Sequence, residues 1–163
     1  MNKHPLMEHI KQSNLIEGVN SRKADKHSLE AWLWLEEQPK ITHQNICGIH
    51  LRIMKGQMNT DDLGIYRRCN VQVGGRVAPH WEYVDALMDN VVYGLKTSKD
   101  PIAMHIQYEY VHPFPDGNGR TGRMLLWWHQ IKLGQEPTLY KAKERWEYYE
   151  LFGAPKGGPA LMN

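Results

Sequence analysis

Within the stretch His112-Pro-Phe-Pro-Asp116-Gly117-Asn118-Gly119-Arg120-Thr-Gly-Arg123 the chain places an imidazole, a carboxylate, a Gly-Asn-Gly turn and two arginines. Gly117 and Gly119 open backbone angles that other residues avoid. Successive N–H groups in such a turn can point one way and form a nest for an anion. The residues that follow, Arg120 to Leu133, read as a helix: Met124, Leu125, Trp127 and Trp128 lie among good helix formers, and Gly134 is a C-terminal stop. The nest therefore opens onto a helix N-terminus, where free N–H groups and the dipole favour phosphate. Arg120 and Arg123 share a helix face by spacing, and two guanidinium forks suit a polyphosphate. Asp116 is a hard oxygen ligand suited to Mg²⁺. His112, across the turn, is placed to take a proton from an incoming hydroxyl.

These residues resemble the signature of the Fic family, H-x-F-x-[D/E]-G-N-G-R-x-x-R, and every constrained position is filled. The resemblance implies an all-α fold, a Fic-type helical bundle with a short β-hairpin flap, as one domain over 1–163. It implies transfer of AMP from ATP to a Tyr, Thr or Ser hydroxyl of a target protein, with pyrophosphate leaving. In that scheme His112 is the general base and Asp116 holds Mg²⁺. Gly117, Asn118 and Gly119 form the anion hole, Arg120 contacts the β-phosphate region and Arg123 the γ-phosphate. Gly119 stands where a kinase-like branch carries lysine, which argues for AMP transfer. Upstream, Ser13-Asn-Leu-Ile-Glu17-Gly18 resembles the inhibitory motif [S/T]-x-x-x-E-[G/N]. Its position resembles the class with an N-terminal inhibitory helix, here residues 1–20. Glu17 would then occupy the Arg123 guanidinium and hold ATP in an unproductive pose. The flap of the family falls on Val71, Gln72, Val73, Gly74 and Gly75, where a target segment docks by β-strand addition; self-modification is expected too. The resemblance leaves open a bifunctional or mainly de-AMPylating enzyme. A module that senses nucleotide without catalysis is also open, and there His112 and Asp116 would be dispensable.

The elements that must position these groups can be read from periodicity and caps. Leu6 to Gly18 reads as a first helix, with Pro5 at its start. Further helices are expected over Ser28–Glu36, after Thr42 to near Gly56, and from Pro79 through Leu95. Val84, Leu87, Met88, Val91, Val92 and Leu95 give the last of these a core-facing stripe. Asp100-Pro101 offers an N-cap and an N1 proline for the helix that delivers His112, and Pro113 ends it. In the run before the signature, Tyr108 and Val111 replace the Phe and Ile of the family, and His105 is read as a structural histidine. Val71 to Val77 around Gly74-Gly75 carries a hairpin signal. Arg67 and Arg68 read as a solvated basic pair. His43 and His50 lack partners at ligand spacing, so a metal role is set aside. Lys141 to Phe152 reads as a last helix, in which Trp146, Tyr148 and Tyr149 read as packing residues, with an adenine contact by one of the tyrosines the less favoured alternative. Trp32 and Trp34 also read as packing, and 153–163 as a frayed tail.

The bulk properties exclude more than they identify. The chain has 163 residues, 41% hydrophobic and 23% charged, which suits a globular domain with a core. Twenty basic against 18 acidic side chains leave +2, giving no reason to propose nucleic acid or a membrane as the main partner. Two cysteines without a C-x-x-C pair point to free thiols in a reducing compartment. With no apolar signal core near Met1, a cytoplasmic location is expected.

Overall fold

The computed structural model describes residues 3–153. The tail expected over 153–163 lies outside the described residues apart from Gly153. Among the described residues there are seven α-helices and one two-stranded antiparallel sheet. No helix among the described residues is long and apolar enough to cross a membrane.

Helix α1 spans Lys3–Ile16. It starts before the expected Leu6, so Pro5 sits inside the first turn, where its missing N–H costs nothing. It ends in a Schellman motif: Val19 N donates to Asn14 O at 2.9 Å, and Gly18 N to Leu15 O at 3.0 Å. Helix α2 spans Arg22–Glu36, capped by Ser21. The expected start at Ser28 is late because the first turns bury only the small Ala24 and the polar His27, which hydrophobic periodicity weighs little. Helix α3 spans His43–Ile53; the Thr42 side chain accepts from Asn45 N at 3.2 Å. Helix α4 spans Val84–Thr97, after a tight helical turn at 81–83. Pro79 does not open it, because the Pro79 carbonyl is held elsewhere, as described below. Helix α5 spans Pro101–Val111, with Asp100 Oδ1 accepting from Ala103 N at 3.0 Å. Helix α6 spans Asn118–Lys132, and α7 only Arg145–Glu150.

Strands β1 (Gln72–Val73) and β2 (Arg76–Val77) pair Gln72 with Val77 and Val73 with Arg76. Gly74 and Gly75 both have positive φ, which matches the right-handed twist of a two-residue hairpin.

Helix α6 is the axis of the fold. It packs against α1, α2, α3 and α5, and Asn118 through Gln130 are buried except Gly119. A helix buried on every side is held by its neighbours rather than by an amphipathic stripe. Trp32 and Trp127 meet edge to face, 6.4 Å between centroids, and the Arg52 guanidinium lies 3.9 Å above the Trp34 ring. Trp146 departs from expectation: it is 44% exposed, because the inward side of the short α7 is taken by Tyr148.

Candidate active site

Helix α5 delivers His112. Pro113 stops the helix, since the residue before a proline is pushed out of the helical region. It does not choose the conformation that follows. His112 takes the left-handed region, φ 50°, the only non-glycine described residue with positive φ. That geometry costs about 1–2 kcal/mol and must be held from outside. His112 N donates to Tyr108 O at 3.0 Å, Arg67 Nε donates to His112 O at 2.8 Å, and Arg67 N donates to Pro113 O at 2.8 Å. The imidazole Nδ1 lies 3.6 Å from Glu109 Oε2, one turn back. Glu109 is 8% exposed. Burial pushes its carboxyl up, but the His112 imidazole, with His105 and Arg123 nearby, outweighs burial and holds it below the usual range.

The turn after His112 is built from three contacts. The Phe114 ring stacks on His50, centroids 3.8 Å apart and planes 4° apart. His50 Nδ1 accepts from Gly64 N at 3.0 Å, so Nε2 carries the proton and donates to Asp116 O at 3.0 Å. Burial pushes this imidazole down to about 4. Asn118 accepts from Phe114 N through Oδ1 and donates to Phe114 O through Nδ2, both at 2.8 Å. The Asn118 side chain therefore staples the loop, and only its backbone N–H is left for an anion. Gly117 has φ 75° and forms the N-cap of α6, and its N–H donates to Asp116 Oδ1 at 2.6 Å. The unusual backbone angle expected at Gly119 is absent. Gly119 is ordinary helix; it is glycine for room, since a Cβ there would collide with Glu17 Oε1 and lie 3.0 Å from Arg123 Nη1.

The two arginines do not lie side by side. Arg123, 1% exposed, turns toward α1. Its Nε donates to Ser13 Oγ at 2.9 Å, and Nη2 donates to Ser13 O at 2.9 Å and to Glu17 Oε1 at 2.6 Å. Its guanidinium lies 4.9 Å from the Tyr148 ring centre. Arg120 turns the other way, donating to Gln57 Oε1 at 2.7 Å and to Met54 Sδ at 3.0 Å. The shared face assumed from spacing is split because each guanidinium finds a separate partner.

A cavity of about 500 Å³ opens between these elements. It is lined by His112, Glu109, Asp116 and residues 117–119, by Glu17, Tyr148 and Tyr149, and by Gln72, Val73, Gly74 and Arg76 of the hairpin. Val71, Gly75, Arg120 and Arg123 do not line it. His105 stays out of the cavity wall: it meets Tyr148 OH at 3.0 Å through Nε2, and burial pushes it down to about 4. Among the described residues no three His, Cys, Asp or Glu side chains gather as a metal cluster.

One sequence reading is overturned outright. Arg68 is exposed, 3.8 Å from Asp85, but Arg67 is 2% exposed and bonded to four carbonyls. His50 and Glu109 were also missed as parts of the site, and Tyr148, read as packing, both packs and lines the cavity. Nothing in their local spacing separates them from core residues, because their partners lie on other elements.

The sequence pattern of the Fic/DOC family matches residues 40–129. The chain is 32% identical over 133 residues to a protein named protein adenylyltransferase Fic from Nematostella vectensis, covering 76% of this chain and 31% of that one. It is 31% identical over 118 residues to the Aedes aegypti protein of the same name, covering 68% and 23%. The chain thus spans about a quarter to a third of the length of these curated relatives. A Fic domain containing signaling protein from Bacteroides thetaiotaomicron has a similar structure. Its TM-score is 0.76 at 18% identity, over 93% of this chain and 72% of that one. Fic-1 from C. elegans gives 0.75 at 24% identity, over 94% and 58%. At such identities the likeness shows the fold.

Proposed function

Since this chain belongs to the Fic/DOC family, we propose that it transfers AMP from ATP to a hydroxyl of a protein target, with Glu17 as its brake. The observation that carries the reading is one cavity bordered by an imidazole, a glycine N-cap at a helix start, and a carboxylate that holds the Arg123 guanidinium. Nδ1 of His112 faces Glu109, which leaves Nε2 for the incoming hydroxyl. As the hydroxyl oxygen bonds to the α-phosphorus, its proton passes to Nε2. The bond from the α-phosphorus to the bridging oxygen breaks, and pyrophosphate leaves. Charge spreads over the phosphate oxygens, so fixed N–H donors at the start of α6 supply most of the help.

Asp116 fits Mg²⁺ held jointly with phosphates. It is an exposed carboxylate on the cavity wall, and Mg²⁺ commonly takes one or two carboxylates plus substrate oxygens and water. Bound there, the ion would neutralise charge on the α- and β-phosphates. The target segment adds as a strand to the edge of the hairpin, through main-chain hydrogen bonds. The hairpin pairs with no other strand among the described residues.

In this account the γ-phosphate needs Arg123, and Glu17 competes for it. Incubation with α-labelled ATP and Mg²⁺ tests this: Glu17→Gly is expected to label itself at least about tenfold more than wild type, and His112→Ala in that background to lose the label with its fold intact. Equal labelling of wild type and Glu17→Gly would remove the brake. Label surviving in His112→Ala would remove the base.

A further inference from the structure

We propose that Arg67 is a positioning residue whose buried guanidinium ties both roots of the flap hairpin to the end of α5, so that the flap and His112 move as one unit. Its Nε donates to His112 O at 2.8 Å and its Nη1 to Cys69 O at 2.9 Å. Its Nη2 donates to Pro79 O at 2.6 Å and to Val111 O at 3.2 Å. Cys69 leads into the hairpin and Pro79 leads out of it, while Val111 and His112 end the helix. One side chain thus makes four bonds to three separate stretches of chain. Arg67 is 2% exposed, and these side-chain bonds all go to main-chain carbonyls. The negative end of the α5 dipole supplies what a carboxylate would otherwise provide.

A hydrogen-bond account of the helix end supports the assignment. The last carbonyls of a helix have no partner within it. Here Tyr108 O receives His112 N at 3.0 Å. Glu109 O and Tyr110 O receive Arg76 Nη2 at 3.4 and 3.2 Å. Val111 O and His112 O receive Arg67. Two arginines from the flap segment therefore cap the catalytic helix, and Arg76, which stacks 4.8 Å over Tyr110, comes from strand β2 itself. His112 sits in a left-handed conformation that these bonds over-determine. If the flap lifts, the restraint on His112 weakens. If the flap settles on a target strand, the imidazole is held where the hydroxyl arrives. Lysine cannot substitute, because a point charge on a flexible stem cannot span three segments as a planar fork does.

This inference rests on the transferase reading for the role of His112, but its test has an arm that does not. Arg67→Lys and Arg68→Ala are made in the Glu17→Gly background. Amide hydrogen exchange, affinity for Mg²⁺-ATP and transfer of α-labelled AMP are then measured. In Arg67→Lys, exchange should quicken at least about tenfold in 69–79 and 112–118 together, with the helices α2 and α3 unchanged. Nucleotide affinity should hold within about twofold while the transfer rate falls at least about tenfold, a split that simple loss of stability would not produce. Arg68→Ala should match its parent in all three. Should Arg67→Lys fail to fold, Arg76→Gln cuts the milder half of the cap, and the same paired exchange is expected at about threefold. Exchange that quickens in one segment alone, or equally throughout the molecule, overturns the proposal, as does unimpaired transfer. Were the Glu17→Gly parent itself to transfer no label, the transferase reading would fall, and the paired exchange would still decide whether Arg67 links flap and histidine.

Discussion

A carboxylate at the C-terminal end of a helix faces the negative end of the dipole, and Glu17 stands there, one residue past Ile16 of α1. Left alone it would weaken its own helix. Its contact with Arg123 at 2.6 Å offsets that cost. Arg123 at 1% exposure in turn needs an anion, whether Glu17 or a phosphate. A second pair of residues sets the response to acid. His50 and His105 are both held down to about 4 in the folded protein, against an ordinary 6.5. The unfolded chain therefore takes up these protons first. The stability involved is fully present above about pH 6.5 and is lost progressively as pH falls toward 4, on the order of 2 kcal/mol for each histidine by pH 5. Urea unfolding at pH 7.5 and pH 5 should show that drop, and His50→Asn should show a smaller one. An equal drop in His50→Asn would mean that the ring is not held neutral in the fold.

If Glu17 acts as the brake proposed above, the end of α1 sets how firmly it holds. Gly18 has φ 72° and nothing within 4 Å of where a Cβ would stand. Gly18→Ala therefore adds strain without a clash, about 1 kcal/mol at the helix end. If that end frays, Glu17 leaves Arg123 part of the time. Self-labelling with ATP should rise a few-fold in Gly18→Ala, well below Glu17→Gly, and a signal at or below wild type would mean that the cap does not govern the brake. The loop before α6 is held more tightly. Asn118→Ala removes two buried bonds of 2.8 Å and leaves both Phe114 main-chain groups unsatisfied, which should lower stability by about 2–4 kcal/mol in denaturant unfolding. Where an element is bounded by neighbours in sequence, it was legible beforehand. Thr42, Asp100-Pro101 and Gly18 mark their helix ends locally, and Gly74-Gly75 marks the hairpin. His50 was not legible, because its partners Asp116 and Gly64 stand 66 and 14 residues away. Arg67 and Arg68 are identical in type and adjacent, and only the fold buries one of them.

Across the whole molecule, α6 serves as a buried post whose first turn borders the cavity and whose neighbours bring side chains to it. Helix α1 contributes Ser13 and Glu17, α5 contributes Glu109 and His112, and Arg67 bonds the segments on either side of the hairpin to the end of α5. The fold class was readable because one stretch carried both a complete signature and a helix start. The separation of Arg120 and Arg123 was not, since spacing places them on one face and only tertiary partners pull them apart. The central claim is that releasing Arg123 lets the His112 cavity transfer AMP. Intact-mass spectrometry of Glu17→Gly protein after exposure to ATP and Mg²⁺, beside the Glu17→Gly, His112→Ala double variant, tests it most directly. The account predicts a gain of one AMP in the first and none in the second. An unchanged mass in the first, a phosphoryl gain, or an AMP gain in both would contradict it.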